Sequence, residues 1–180
     1  MLKFFIFFIF SVKLVFAGDY IHSAANIKQE LGEENFLHEY KLFMPYKNKI
    51  KNLQKLEKNV FQEKALRFEI LDKLLKYQKQ SNSLIIAQYG IDEGLRYVNL
   101  KDVKKFKKYI LPNAEVLYKR GMCDGYLFKG IYSQNIEGNS LEALKIYRQG
   151  AKNCTISWKK MNILSRMNKL RYRLGLIGKR

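Results

Sequence analysis

Apolar residues recur every three or four positions along most of this chain, and polar residues, many of them lysines, occupy the positions between them. The longest such pattern runs through residues 46–80 and includes Ile50, Leu53, Leu71 and Leu74. This spacing places apolar side chains on one face of an amphipathic helix. Alternation of apolar and polar residues, which would indicate a strand, does not persist anywhere. The pattern therefore predicts an all-α fold that contains one long amphipathic helix over residues 46–80.

Proline, glycine and short polar runs set the ends of the other predicted helices. Pro45 ends the first helical stretch and Pro112 ends a short basic one, since the residue before a proline avoids the helical conformation. Gln-Ser-Asn-Ser at residues 80–83 is the clearest loop in the interior of the chain. Besides the long helix, the pattern predicts helices over residues 18–44 with a break near Gly32, 84–98, 99–111 and 156–174.

The stretch from Cys123 to Cys154 predicts two antiparallel helices joined by a short polar turn. Residues 135–139, Asn-Ile-Glu-Gly-Asn, have the composition that turns favour, and Ser140 is placed to cap the helix that follows. Apolar residues continue at helical spacing on both sides of this turn. We expect the two helices to form a hairpin whose open ends carry the two cysteines.

This hairpin resembles one unit of the Sel1-like and tetratricopeptide repeat families. The matching residues are Gly130 and Tyr132 on the first helix and Ala143, Tyr147 and Ala151 on the second. In such units small residues lie where the two helices touch, and aromatic residues fill the gap between neighbouring hairpins. The resemblance implies a short array of stacked hairpins. An ordinary helical hairpin with small residues at its contact is the alternative interpretation.

Residues 1–17 have the features of a cleavable export signal. Lys3 precedes an apolar run over residues 4–12, and Val15 and Ala17 match the small residues of a signal-peptidase site. The run is shorter than the ~20 residues that a membrane span needs. We expect cleavage after Ala17 and a periplasmic or secreted product, with an uncleaved membrane anchor as the alternative.

The remaining residues, 18–180, are predicted to form a single all-helical domain. N-terminal helices would occupy residues 18–80, and repeat-like hairpins with a capping basic helix would occupy residues 83–180.

Cys123 and Cys154 are the only cysteines, and an isolated pair in an oxidising compartment usually forms a disulfide. The ends of an antiparallel hairpin lie side by side, which suits the Cα separation of ~4.4–6.8 Å that a disulfide requires. A redox pair and a metal site are the alternatives.

The chain is strongly basic, with 34 Lys and Arg residues against 16 Asp and Glu residues and a net charge of +18 at pH 7. A field of this sign attracts polyanions, so anionic lipid and envelope polysaccharide are candidate partners. The aromatic residues stand at core spacing rather than on a displayed platform, which argues against nucleic acid. Charge scattered over the surface by a Lys-rich composition is the alternative. The basic residues singled out for binding are Lys104, Lys105, Lys107, Lys108, Lys169, Arg171 and Arg173.

The sequence contains no motif for a catalytic centre, a metal or a cofactor, and we predict none. His22 and His38 are the only histidines, and Leu42 and Phe43 stand where a zincin motif beginning at His38 would need its second histidine. A cell-wall hydrolase would instead need one carboxylate in an apolar pocket. The conceivable residues for that role are Glu69, Glu115 and Glu142.

These observations favour an exported, basic, non-catalytic helical protein that serves as an interaction scaffold for another envelope or secreted protein. Its binding face would be the concave groove between hairpins, lined by the first-helix residues Tyr126, Lys129 and Ser133. Adsorption to an anionic membrane or polysaccharide through the basic C-terminal helix is the first alternative. A small cell-wall hydrolase is the second.

Overall fold

The structure is a computed structural model that describes residues 20–59 and 64–176. Every regular element in this part of the chain is helical, which confirms the all-α prediction. The predicted leader, residues 1–17, lies outside the described residues. In chain order the elements are α1 (Tyr20–Leu31), α2 (Glu33–Phe43), a 3-10 turn (Met44–Tyr46), α3 (Lys47–Asn59), α4 (Lys64–Ser81), α5 (Leu84–Tyr97), α6 (Val103–Lys105), a π-helical segment (Phe106–Ile110), α7 (Leu111–Lys119), α8 (Cys123–Asn135), α9 (Ser140–Asn153) and α10 (Ser157–Arg173).

The prediction of one long helix over residues 46–80 is wrong, because the chain forms two antiparallel helices there. The rings of Tyr46 and Tyr77 lie 5.5 Å apart, with the Lys49 ammonium over both. In one continuous helix these two residues would be about 46 Å apart, at a rise of ~1.5 Å per residue. Helices α3 and α4 both keep the apolar spacing of an amphipathic helix, so the pattern alone gives no sign that the chain changes direction.

The prediction that Pro112 ends a helix is also wrong. Helix α6, the π-helical segment and α7 follow one another without a gap, and Pro112 lies in the first turn of α7. The π-helical segment changes the hydrogen-bond register, and the proline falls where a new α-helical turn starts, a position that needs no N–H donor. Phe106 and Ile110 are buried, whereas Val103 is 42% exposed.

Glycines of α5 lie against the end of the π-helical segment and the first turn of α7. Gly90 faces the Asn113 side chain, and Gly94, one turn later on α5, faces the side chain of Ile110. The partners follow each other in the reverse order, so the two helical segments are antiparallel. A Cβ at Gly90 would overlap several atoms of the Asn113 side chain, whereas a Cβ at Gly94 would meet mainly the flexible end of Ile110.

Helices α8 and α9 form the predicted antiparallel hairpin. The Tyr147 ring of α9 lies against Gly130, and the Tyr126 side chain of α8 lies against Gly150. Each tyrosine thus fills the place that a side chain on the opposite helix would take. This reciprocal packing determines which face of α8 is turned towards α9.

The two ends of this hairpin are held by a cap and by the cysteine pair. The cap of α9 is Asn139 rather than the predicted Ser140, because the Asn139 side-chain oxygen accepts a hydrogen bond from the Glu142 N–H. At the other end Cys123 opens α8 and Cys154 directly follows α9. Their sulfurs lie 2.05 Å apart and their Cα atoms 4.9 Å apart, so the predicted pair is at disulfide distance and buried.

Helix α8 belongs to both groups of buried side chains that form the core. Phe128 and Ile131 pack in the larger group, which extends from α1 to α8. Tyr126 packs in the smaller group, which joins α8, α9 and α10 around the cysteine pair. Because α8 is shared, the position of α10 depends on the rest of the fold.

A Gly125→Ala variant tests how closely α8 packs against α7. The added Cβ would overlap the backbone of Tyr118 and Leu117, which has no side-chain freedom to move away. We expect a loss of about 1–3 kcal/mol in the free energy of unfolding, measured by urea denaturation. Gly94→Ala is the control, because its Cβ would meet only the flexible end of Ile110 and should cost less. Equal losses in the two variants would contradict the packing described here.

Loss of the Cys123–Cys154 pair should destabilise the fold. The cross-link restricts the unfolded chain, and the chain-entropy treatment gives about 3–4 kcal/mol for a loop of this size. Urea denaturation of the wild type with and without dithiothreitol measures the difference. The C123A/C154A double variant is the control, since its unfolding should not respond to the reductant. Superimposable oxidised and reduced curves for the wild type would show that the bond contributes nothing.

Candidate binding groove and buried ionic cluster

A groove of about 620 Å³ opens between the end of α5, helix α8 and helix α10. This volume lies within the range of ~300–1,000 Å³ that is typical of ligand sites. Leu95 of α5 lines the groove and is 41% exposed, so part of its apolar surface meets solvent. The other apolar lining residues are Leu100, Leu127, Phe128 and Ile131. The polar lining residues are Gln134, Asn135, Asn162, Ser165, Arg166, Lys169 and Arg173.

Helix α10 packs against the core with one face and lines the groove with another. Ile163 and Leu170 are 0% and 3% exposed and seat the helix against the core. Asn162, Lys169 and Arg173 line the groove instead. Intervals of four and seven residues bring these three side chains onto one side of the helix. The same helix is therefore anchored by one stripe and presents the other to the groove.

The basic wall of the groove consists of Arg166, Lys169 and Arg173, all on α10. No acidic residue lines the groove, and none of the described carboxylates forms an ion pair with these three residues. The Tyr147 hydroxyl donates a hydrogen bond to Gln134 Oε1 at 3.2 Å. Burial outweighs the positive charge of Arg166 and raises the pKa of that phenol to about 12. The tyrosine is therefore neutral at physiological pH. The charges of the basic wall are not compensated within the described part of the protein.

The α8 residues predicted to line the binding face lie elsewhere. Tyr126 and Ser133 are 7% and 1% exposed, and the Ser133 hydroxyl donates a hydrogen bond to Glu137. Lys129 is half-buried and forms an ion pair with Glu115 of α7 at 3.0 Å. None of the three predicted residues lines the groove.

The face of α8 that lines the groove is offset by about one residue from the predicted one. Tyr126 and Gly130 are on the face that packs against α9. The groove is lined by residues one position later, Leu127 and Ile131, followed by Gln134. One residue turns an α-helix by about 100°, so the shift moves the prediction from the groove to the hairpin contact. Gly130 is the signal that could have revealed the correct face, since small residues mark helix contacts.

The basic residues predicted near the C-terminus are divided by the structure. Lys169 and Arg173 are exposed and line the groove, whereas Arg171 is partly buried and lies outside the lining. Spacing alone does not separate the three, because all belong to the same polar surface of the last helix in the sequence.

The second predicted basic segment does not contribute to the groove. Its four lysines are exposed. Two of them have acidic partners, with Lys105 at 3.2 Å from Asp102 and Lys108 at 2.8 Å from Asp72. The segment is therefore partly neutralised by the fold. The four lysines of this segment, none of which lines the groove, are Lys104, Lys105, Lys107 and Lys108.

A cluster of ionisable side chains that was not predicted from the sequence is buried where α1, α8 and α10 meet. Lys159 of α10 is 1% exposed, and its Nζ lies 3.0 Å from Glu30 Oε1 and 2.9 Å from Asp124 Oδ2. The other carboxylate oxygen of Glu30 accepts a hydrogen bond from the Cys123 N–H at 2.6 Å. We call Lys159, Glu30, Asp124 and the adjoining Asp92 the ionic cluster.

Helix α5 joins the ionic cluster through an amide. The Gln88 side-chain nitrogen donates to Asp124 Oδ2 at 2.7 Å and to Asp92 Oδ1 at 3.0 Å. The Ser23 hydroxyl of α1 donates to the other Asp92 oxygen at 2.7 Å. The cluster thus connects α1, α5, α8 and α10 by polar contacts in addition to their apolar packing.

Burial raises the pKa of Glu30 and of Asp92, while Lys159 acts in the opposite direction on both. Burial also opposes the charge on Lys159, but Asp124 and Glu30 outweigh it and the pKa of the lysine is raised. A carboxyl group whose pKa is higher in the folded state makes the protein less stable as pH rises through that value. Lys159 contributes stability that is present at neutral pH and is lost only in the alkaline range above its ordinary pKa.

The three carboxylates considered for hydrolysis do not lie in an apolar pocket. Each forms an ion pair with a lysine, and each side chain is at least 43% exposed. Within the described residues no group of His, Cys, Asp and Glu is arranged to hold a metal ion. No helix in that part of the chain has the length and apolar character needed to cross a bilayer. The three carboxylates considered for hydrolysis are Glu69, Glu115 and Glu142.

Comparison of the chain with protein-family models, curated proteins and solved structures finds no match. The resemblance of the α8–α9 hairpin to a repeat unit therefore stays a prediction.

A Lys159→Met variant tests the electrostatic role of the buried ammonium. It leaves Glu30 and Asp124 buried without their cation, which should lower the free energy of unfolding by about 3–5 kcal/mol at neutral pH. The loss should shrink at acidic pH, because burial raises the pKa of Glu30 and its protonation removes part of the uncompensated charge. Urea denaturation at both pH values provides the measurement.

The control for this variant is Lys160→Met on the adjacent, partly exposed lysine. Its effect should stay within about 0.5 kcal/mol. If the Lys159→Met loss were the same at neutral and acidic pH, the lysine would act through packing rather than charge.

Proposed function

We propose that this protein is an exported, non-catalytic helical scaffold that binds a segment of another envelope or secreted protein. The observation that carries the proposal is the groove between α8 and α10, which combines exposed apolar surface with an uncompensated basic wall. Exposed apolar surface rimmed by polar side chains is typical of sites where another molecule binds.

The polar side chains of the groove suit a polypeptide. Gln134 and Asn135 on α8 face the same groove as Asn162 on α10. A carboxamide carries both hydrogen-bond donors and acceptors, as the peptide backbone does. Side chains on opposite sides of the groove are thus able to pair with the main chain of a bound segment.

The location outside the cytosol is supported by two features of the sequence. Residues 1–17 have the pattern of a secretory leader. The only two cysteines lie at disulfide distance, which suits an oxidising compartment. A partner is then to be sought among proteins of the same compartment.

Site-specific photo-crosslinking in cells that produce the protein naturally tests the proposed function. A photoreactive amino acid at Ser165, which is exposed in the groove, should give one discrete adduct with an exported protein. The same amino acid at Lys152, exposed on α9 outside the groove lining, is the matched control and should not give that adduct. An Asn135→Trp substitution, which fills the groove from the opposite side, should suppress crosslinking from Ser165.

Two results would refute the groove as a protein-binding site. One is the absence of any adduct from Ser165 in a folded, exported protein. The other is an identical adduct from Lys152, because it would show that the contact does not depend on the groove.

A further inference from the structure

We propose that the segment bound in the groove is acidic, with Asp or Glu side chains against the basic wall and apolar side chains against the leucines of the lining. This inference depends on the proposed function and names the chemistry of the partner. The leucines concerned are Leu95, Leu100 and Leu127.

The basic wall offers positive charge that an acidic segment would complement. Lys169 and Arg173 are exposed, lie in the groove and have no carboxylate partner among the described residues. Opposite charge on a partner would attract these side chains, and like charge would cost several kcal/mol by repulsion. Arg166 adds a third positive charge at the same wall.

The distance between the basic residues of the wall determines which spacing of acidic residues in a bound segment would match them. Lys169 and Arg173 are one helical turn apart, so their Cα atoms are separated by about 6 Å. In an extended segment, residues two positions apart are separated by about 6.6 Å and point to the same side. A partner with acidic residues at alternate positions therefore matches the wall, and the residues between them face the opposite way.

The shape of the groove favours a single polypeptide chain over a lipid surface. Phe128 and Ile131 line the groove but are only 5% and 1% exposed, so they are recessed. A flat bilayer surface does not reach recessed side chains, whereas one extended chain does. The amide of Asn162 also offers donors and an acceptor together, while the phosphate group of a lipid supplies acceptor oxygens only.

Selection from a peptide library tests the inference and does not require the natural partner to be identified. Random peptides displayed on phage would be selected on the intact, disulfide-bonded protein. We expect the enriched peptides to carry Asp or Glu at alternate positions together with Leu, Ile or Phe. A synthetic peptide of the enriched sequence should bind the K169E/R173E variant at least about tenfold more weakly, a difference of ~1.4 kcal/mol, as measured by fluorescence anisotropy.

Charge reversal gives the sharpest version of this test. Selection on K169E/R173E should shift the enriched peptides from acidic to basic residues. The control is K51E/K55E on α3, which changes the charge equally at two exposed lysines that are also four residues apart and outside the groove. This control should keep the acidic preference. If K169E/R173E did not fold by circular dichroism, the neutral K169Q/R173Q variant should weaken the preference without reversing it.

Several outcomes would overturn the inference. Enrichment of neutral or basic peptides on the wild type, equal binding of the acidic peptide to both double variants, or no enrichment at all would each do so. Preferential binding to phosphatidylglycerol over phosphatidylcholine vesicles, lost in K169E/R173E while no peptide is enriched, would assign the wall to a lipid surface instead.

The crosslinking experiment separates failure of this inference from failure of the proposed function. If K169E/R173E keeps the Ser165 adduct at its wild-type yield, the groove binds a protein but does not select acidic residues. If the wild type gives no adduct, the proposed function itself is wrong.

Discussion

The buried ammonium of Lys159 is the constraint on which the arrangement of the helices depends. A lysine that is 1% exposed has lost its hydration, and removing an ion from water costs several kcal/mol unless other groups compensate. Here the compensation comes from Glu30 on α1 and Asp124 on α8, at 3.0 and 2.9 Å. Helix α10 is therefore stable in its observed place only when α1 and α8 are already in theirs.

This dependence connects the ionic cluster to the groove. Lys159 holds the first turn of α10, and Ile163 and Leu170 seat the rest of that helix. The basic wall stands on the neighbouring face of the same helix, so its distance from α8 follows from how α10 is anchored. A partner that bridges α8 and α10 would bind only the docked state, and by linkage it would stabilise that state. Folding and binding thus depend on the same contacts.

Local features of the fold could be predicted, because they follow from residues close together in the chain. The break at Gly32, the helix that begins at Leu84 and the α8–α9 hairpin each depend on spacing or turn composition within one or two elements. The direction of α3 against α4 could not be predicted in this way. Both helices bury one stripe, and a periodic pattern looks the same whether the chain continues straight or folds back.

The groove and the ionic cluster escaped prediction for two different physical reasons. For the groove the needed signal was present in the chain: Gly130 is the small residue at the hairpin contact, so Tyr126 one turn earlier had to face α9 and the groove had to lie one residue further on. For the cluster there was no local signal. Lys159 and Glu30 are 129 positions apart, and within its own helix Lys159 is one of three lysines. Only its carboxylate partners distinguish it, and those are brought to it by the packing of α1 and α8, which the apolar pattern leaves undetermined.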